Sequence, residues 1–247
     1  MSELADISLR PAFSDGMRSQ LADRTTDILL AVGQLDRTVP SEVTRRAISE
    51  LLSGMNSYYS NLIEGVKTLP YEIDAALEKS SQLAGSRAPN AELSRAHITV
   101  ERAMRQRLAD NSTAVYSSEF ICWLHEQFYL AIPEPLRSTT TTEGNLLQIV
   151  PGDLRDRGVV VGKHHPPSVG ELPHIMDAFQ HYFGAGDWLR TEQLMFAAAA
   201  HHRLAWIHPF LDGNGRVARL FSHACLIRAG VDGSGLWSLS RGFARNR

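Results

Sequence analysis

Cysteine is nearly absent. Cys122 and Cys225 are the only two in 247 residues, each inside an apolar helical pattern, so neither a disulfide framework nor a cysteine metal site is expected. An excess of charge is missing too. With 25 Lys and Arg against 27 Asp and Glu, interspersed rather than blocked, the chain has no electrostatic footprint for nucleic acid. No stretch approaches the roughly 20 apolar residues that span a bilayer. Met1 to Arg10 carries acids where a secretory leader has a basic start and an apolar centre. These absences point to a soluble, cytoplasmic protein with no membrane and no nucleic acid among its partners. What is present suffices for a core: 43% of residues are apolar, enough for one large domain or a domain with a helical extension.

Helical periodicity dominates. The spacing predicts a helix over Arg18 to Leu35, ended by Gly33 and Pro40. Ser41 offers an N-cap for a second helix running to Gly65, in which Val43, Ala47, Leu51, Met55, Tyr58 and Leu62 recur at helical spacing. Further helices are expected at Tyr71 to Leu83, Ala91 to Leu108, Ser118 to Ala131, Gly170 to Phe183, Thr191 to Ile207 and Gly215 to Ala229, with a weaker piece from Gly235 onward. The exception is Asn145 to Lys163. There Leu146 to Val150 and Val159 to Val161 flank Pro151-Gly152-Asp153, the pattern of one hairpin. The fold class is mainly α with a short β-hairpin.

Between two strong helical patterns lies His208-Pro209-Phe210-Leu211-Asp212-Gly213-Asn214-Gly215-Arg216-Val217-Ala218-Arg219. A glycine-rich loop feeding a helix N-terminus makes an anion cradle, because the first N–H groups lack helical partners and the dipole is positive there. Arg216 and Arg219, three apart, can meet one polyphosphate. Asp212 is a hard oxygen ligand suited to Mg²⁺ on phosphates, and His208 has an ordinary pKa suited to general-base work. Taken singly, each residue also suits a turn, a solvated helix face or a helix stop.

Taken together, the segment resembles the Fic (Fido-domain) signature His-x-Phe-x-(Asp/Glu)-Gly-Asn-Gly-Arg-x-x-Arg at every specified position. Similarity continues through His201 to Ile207 before it and Leu236 to Gly242 after it. The resemblance implies a Fic-type helical catalytic domain over 115–247 and an N-terminal helical region over 1–114. It implies AMPylation. His208 would take the proton of a Ser, Thr or Tyr hydroxyl on a target protein, which attacks the α-phosphorus of ATP. Asp212 would hold Mg²⁺, while Gly213, Asn214 and Gly215 cradle the α- and β-phosphates. Arg216 would neutralise the leaving pyrophosphate and Arg219 reach the γ-phosphate. The 145–163 hairpin matches the position of the family's flap, over which a target strand docks; the pattern alone suits a purely structural hairpin equally well.

Ser60-Asn61-Leu62-Ile63-Glu64-Gly65 resembles the family's inhibitory motif (Ser/Thr)-x-x-x-Glu-(Gly/Asn). By that resemblance, Glu64 would pair with Arg219 and hold the γ-phosphate site closed, making the protein autoinhibited. Two alternatives stay open: a de-AMPylating hydrolase using the same site, with Glu64 aligning water, and a nonenzymatic ATP-binding regulatory module. A γ-phosphate-transferring variant is disfavoured, since relatives of that kind typically carry Lys where Gly215 stands. Many relatives continue past the point equivalent to Arg247 with helices that help complete the adenine pocket, so base specificity is less defined than phosphate chemistry. Self-modification and pairing of the helical extension with a second copy are further expectations. His164-His165, His201-His202 and His125-Glu126 lack metal-ligand spacing, and Trp123, Phe128 and Tyr129 are expected in the core.

Overall fold

A computed structural model describes residue 9 and residues 14–77, 88–141, 144–184 and 189–245. The elements run α1 Asp15–Thr38, α2 Glu42–Ile63, α3 Pro70–Leu77, α4 Ala88–Leu108, α5 Ser118–Ala131, β1 Ser138–Thr140, β2 Leu146–Gln148, α6 Leu172–Gly184, α7 Arg190–Ile207, α8 Asn214–Arg228 and α9 Leu239–Arg245. Single 3₁₀ turns occupy Glu134–Leu136 and Gly233–Gly235. Serines start three of the helices: Ser14, Ser41 and Ser117 each accept a hydrogen bond from the amide three residues on, satisfying a donor the helix cannot. No helix among the described residues is long and apolar enough to cross a membrane.

The core gathers Phe120, Leu124 and Phe128 of α5, Phe179 and Phe183 of α6, Ala200 and Leu204 of α7, and Leu220 and Phe221 of α8. Small alanines on α7 let it approach α8 closely, and these two helices flank the loop that holds the signature.

Three expectations are corrected, and a fourth is seen only in part. The first helix is longer than Arg18 to Leu35, and Gly33 does not end it. Leu29 and Val32 pack against the buried Leu194 and Val231, outweighing the roughly 1 kcal/mol that a mid-helix glycine costs. The helix expected over Tyr71 to Leu83 is seen over Pro70–Leu77, and residues 78–83 lie outside the described residues. The tail divides into the 3₁₀ turn and α9. The hairpin pairs β2 with β1 upstream, Thr139 opposite Leu147, rather than with Val159 to Val161. After the Gly152 turn the chain is diverted: the Gly152 amide donates to His125 Nδ1 (2.9 Å), and the Arg155 amide donates to the Pro209 carbonyl (2.9 Å). Val161 keeps only a bridge to His164.

In α2, Val43 and Leu51 are exposed, whereas the buried residues are Ser53, Asn56, Ser57, Ser60 and Asn61. A helix usually buries its apolar stripe; this one buries a polar one. Ser57 donates to the Ser94 carbonyl (2.8 Å), Asn61 to Ser94 Oγ (3.3 Å) and Asn56 to Glu101 (3.4 Å) on α4. Short side chains allow close approach, and hydrogen bonds satisfy much of the seam, with Ser53 Oγ and Asn61 Oδ1 lacking a partner among the described residues. This seam seats Ser60 and Glu64.

Candidate active site

His208 ends α7 in the left-handed region (φ 51°, ψ 61°), its amide donating to the Leu204 carbonyl (3.1 Å). The chain then reverses toward α8. Asn214 closes the loop, with Oδ1 accepting from the Phe210 amide (2.9 Å) and Nδ2 donating to the Phe210 carbonyl (2.7 Å). Its side chain is therefore committed to the loop, and only its backbone N–H is left for an anion. Gly213 has φ 79°, and a Cβ there would lie 2.9 Å from Tyr129. A Cβ on Gly215 would collide with Glu64 Oε1. Both glycines are thus set by close approach as well as by the turn. The first-turn amides of α8 and its positive dipole end lie at this turn.

Burial lowers the His208 pKa below 6.5; a hydrogen bond with the Ala205 carbonyl opposes this, and the Arg155 cation and His164 add to it. A neutral imidazole at pH 7 can accept a proton.

On the far side of the cradle, the buried Arg219 points at α2. Its Nε donates to Ser60 Oγ (2.8 Å), and its Nη2 to the Ser60 carbonyl (3.0 Å) and to Glu64 Oε1 (2.7 Å). Glu64 keeps 35% of its side-chain exposure, so the ion pair lies at the rim rather than deep inside. Arg216 lies over the Phe128 ring (5.4 Å), 3.9 Å from Asp212, with a buried Nε that has no hydrogen-bond partner among the described residues. Contacts tie Arg219 to Ser60 and Glu64, bring Gly215 against Glu64 and Arg216 near Asp212, and His208, Gly213 and Asn214 lie on the same turn into α8.

Two contributors were invisible in the sequence. Tyr129, expected only as core, is buried, and its hydroxyl donates to Asp212 Oδ2 (2.8 Å). Arg155 grips the His208 carbonyl (2.9 Å). Three of the histidines set aside make contacts within the protein. His125 stacks on Phe210 (4.0 Å), and burial pushes its pKa down to about 4, fitting a neutral ring that accepts from Gly152. His164 bonds the Trp206 carbonyl and His201 bonds Ser222 Oγ. Both cysteines are free, with burial pushing Cys122 up to about 11 and Cys225 to about 12.

No group of three or more metal-ligating side chains exists among the described residues. Asp212, 46% exposed, is a single oriented carboxylate beside an anion cradle. That donor set fits Mg²⁺, which takes one or two carboxylates and completes its shell with phosphates and water.

The Fic/DOC family profile matches residues 115–226. Among curated relatives, the protein adenylyltransferase Fic of Drosophila mojavensis is 37% identical over 113 residues, 43% of this chain and 21% of that protein. The protein of the same name from Drosophila grimshawi is 42% identical over 93 residues, 35% of this chain and 18% of that one. The chain thus spans about a fifth of the length of the curated relatives it matches. Among solved structures, a Fic-domain-containing signaling protein from Bacteroides thetaiotaomicron superposes with a TM-score of 0.64 at 20% identity, covering 82% of this chain and 73% of that one. Fic-1 from C. elegans gives 0.63 at 18% identity, covering 87% and 60%.

Proposed function

We propose, from the premise that residues 115–226 belong to the Fic/DOC family, that the chain is a protein adenylyltransferase moving AMP from ATP to a Ser, Thr or Tyr hydroxyl of a protein. The observation that carries this reading is a neutral, half-buried His208 held at the mouth of the α8 N-terminus. His208 takes the hydroxyl proton as the oxygen attacks the α-phosphorus; the bond to the bridging oxygen breaks and pyrophosphate leaves. The amides of Gly213, Asn214 and Gly215 bind phosphate oxygens, and Arg216 faces the leaving group. Asp212, oriented by Tyr129, is the residue for Mg²⁺, which when bound supplies positive charge to the polyphosphate. Catalysis on this account is positioning and electrostatics. The β1–β2 hairpin, with Leu146 66% exposed, offers strand edges to an extended target segment or to the protein's own chain.

Glu64 is the brake in this reading. Its carboxylate holds the Arg219 guanidinium that the γ-phosphate would use, so ATP and Glu64 compete for one cation. Residues 1–114, carrying α2, then form the regulatory region and 115–247 the catalytic one.

The test is label transfer to protein from ATP labelled at the α- or the γ-phosphate, using wild type, Glu64→Gly and Glu64→Gly/His208→Ala with Mg²⁺. Label from the α-position alone, at least about tenfold stronger in Glu64→Gly (~1.4 kcal/mol in barrier) and lost with His208→Ala, is expected. Transfer from the γ-position overturns nucleotidyl transfer, and equal labelling by wild type and Glu64→Gly overturns the brake.

A further inference from the structure

We propose that Arg155 is the positioning residue for His208, holding the left-handed turn so that the imidazole stays aimed at the incoming hydroxyl. The proposal rests on the adenylyl-transfer reading above. Arg155 is 3% exposed and follows the hairpin in a segment without helix or strand. Its Nε donates to the His208 carbonyl (2.9 Å), Nη1 to the Arg157 carbonyl (3.1 Å) and Nη2 to the Pro167 carbonyl, while its own amide donates to the Pro209 carbonyl (2.9 Å). Each acceptor is a main-chain carbonyl. No ion pair to a carboxylate joins it among the described residues.

That arrangement is unusual for a buried cation, which is costly to desolvate and is normally paired with an acid. Here the charge is met by carbonyl dipoles alone, and one of them belongs to a non-glycine residue in the left-handed region. Such a conformation costs on the order of 1 kcal/mol or more and persists only where its surroundings hold it. His208 is held from both sides: α7 takes its N–H at Leu204 and Arg155 takes its C=O. The peptide orientation that follows fixes where Cβ and the imidazole point. A lysine cannot replace this grip, because an ammonium is a point donor whereas the guanidinium fork spans three separated carbonyls. The fork also joins 155–167 to the catalytic turn, so the loop beyond the hairpin and the base move as one body.

The test uses the Glu64→Gly protein as parent, with Arg155→Lys and Arg155→Ala added to it. Measured are kcat and KM for transfer from α-labelled ATP, ATP binding by calorimetry, thermal melting, and hydrogen exchange at the His208 and Phe210 amides. Arg155→Ala is expected to lower kcat about a hundredfold, the usual loss from roughly 1 Å of misplacement, with ATP affinity held within about twofold. Millimolar guanidinium restores at least about a tenth of the lost rate, and ammonium does not. Arg155→Lys, which keeps charge and most of the volume, stays folded but remains at least about tenfold slow, with faster exchange at His208 and Phe210. Arg155→Lys working at the parent rate overturns the proposal, as does ATP affinity falling in step with kcat. If the parent itself transfers no label, it is the adenylyl-transfer reading that has failed. Exchange at His208 then still judges the grip: unchanged protection in Arg155→Lys overturns it, and lost protection supports it.

Discussion

At the scale of single residues, the site is governed by what surrounds the imidazole. Burial depresses the His208 pKa below 6.5, and the nearby Arg155 and His164 push the same way. A general base works in its neutral form, so with His208 as the proposed base, activity is expected to be lost as pH falls through that lowered value and to be fully present above it. In the Glu64→Gly protein at saturating ATP, the acid limb of the rate profile is therefore expected to have its midpoint below about pH 6.5 and to be level between about pH 7 and 8. Initial rates across that range check this. A midpoint at or above the ordinary histidine value would mean that the neutral imidazole is not the base, or that its burial is relieved once ATP binds.

Residues differ in how visible they were. His208, Asp212, Arg216 and Arg219 share one short segment, so their spacing alone placed them together on a loop and the helix after it. Tyr129 meets Asp212 across 83 positions and Arg155 meets His208 across 53. Neither partner leaves a mark in local periodicity, and a buried tyrosine reads the same whether or not its hydroxyl is used. Asn214 shows the converse: its place in the cradle was legible, but not that its side chain is consumed in closing the loop.

At the scale of elements, α2 is the informative one. Its bounds were legible from Ser41 and Gly65, but its orientation was not. The apolar stripe Val43, Ala47 and Leu51 faces out, while the buried face, from Ser53 to Asn61, meets Ser94 and Glu101 of α4 through hydrogen bonds. The hairpin was misplaced for a related reason: β-branched content marks strands, whereas pairing is decided by where the chain is tied down, here by His125 and Pro209. A helix seated by hydrogen bonds between short side chains tolerates no added volume. Ser57 is fully buried with its hydroxyl on the Ser94 carbonyl. Ser57→Leu is expected to cost about 1–3 kcal/mol by overpacking, to tilt α2 away from α4, and so to loosen Glu64 from Arg219. It should raise α-label transfer although it touches neither catalytic nor phosphate-binding groups. A lower melting temperature with wild-type transfer would separate the seam from the brake.

At the scale of the whole molecule, the helices around the site are joined by buried polar groups whose protonation couples the fold to pH. Arg105 of α4 makes two hydrogen bonds to Asp232, which also accepts from His223 of α8. Ser238, just before α9, donates to Asn56 of α2 (2.6 Å). Burial opposes charge on Asp232, but the hydrogen bonds from His223 and Arg105 outweigh it and hold the carboxyl below the usual range. Next to this network, His97 of α4 is buried with an unpartnered Nδ1, and its pKa is lowered to about 3 by burial, with Arg219, His223 and Arg216 adding to it. The unfolded chain binds the proton near pH 6.5 and the folded chain does not, so stability is intact above that value and is lost as pH falls from 6.5 toward 3. Between about pH 7 and 5 the loss from one such histidine is about 2 kcal/mol, or roughly 5 °C in melting temperature for a chain of this size. His97→Leu removes both the titration and the unsatisfied nitrogen. Stability at pH 7 is then expected to stay within about 1 kcal/mol of wild type, while the melting temperature falls less on acidification, the remainder coming from His125, His201 and His208, whose pKa values burial also lowers. Equal acid sensitivity in wild type and His97→Leu, measured by scanning calorimetry at the two pH values, would place the coupling elsewhere in the network.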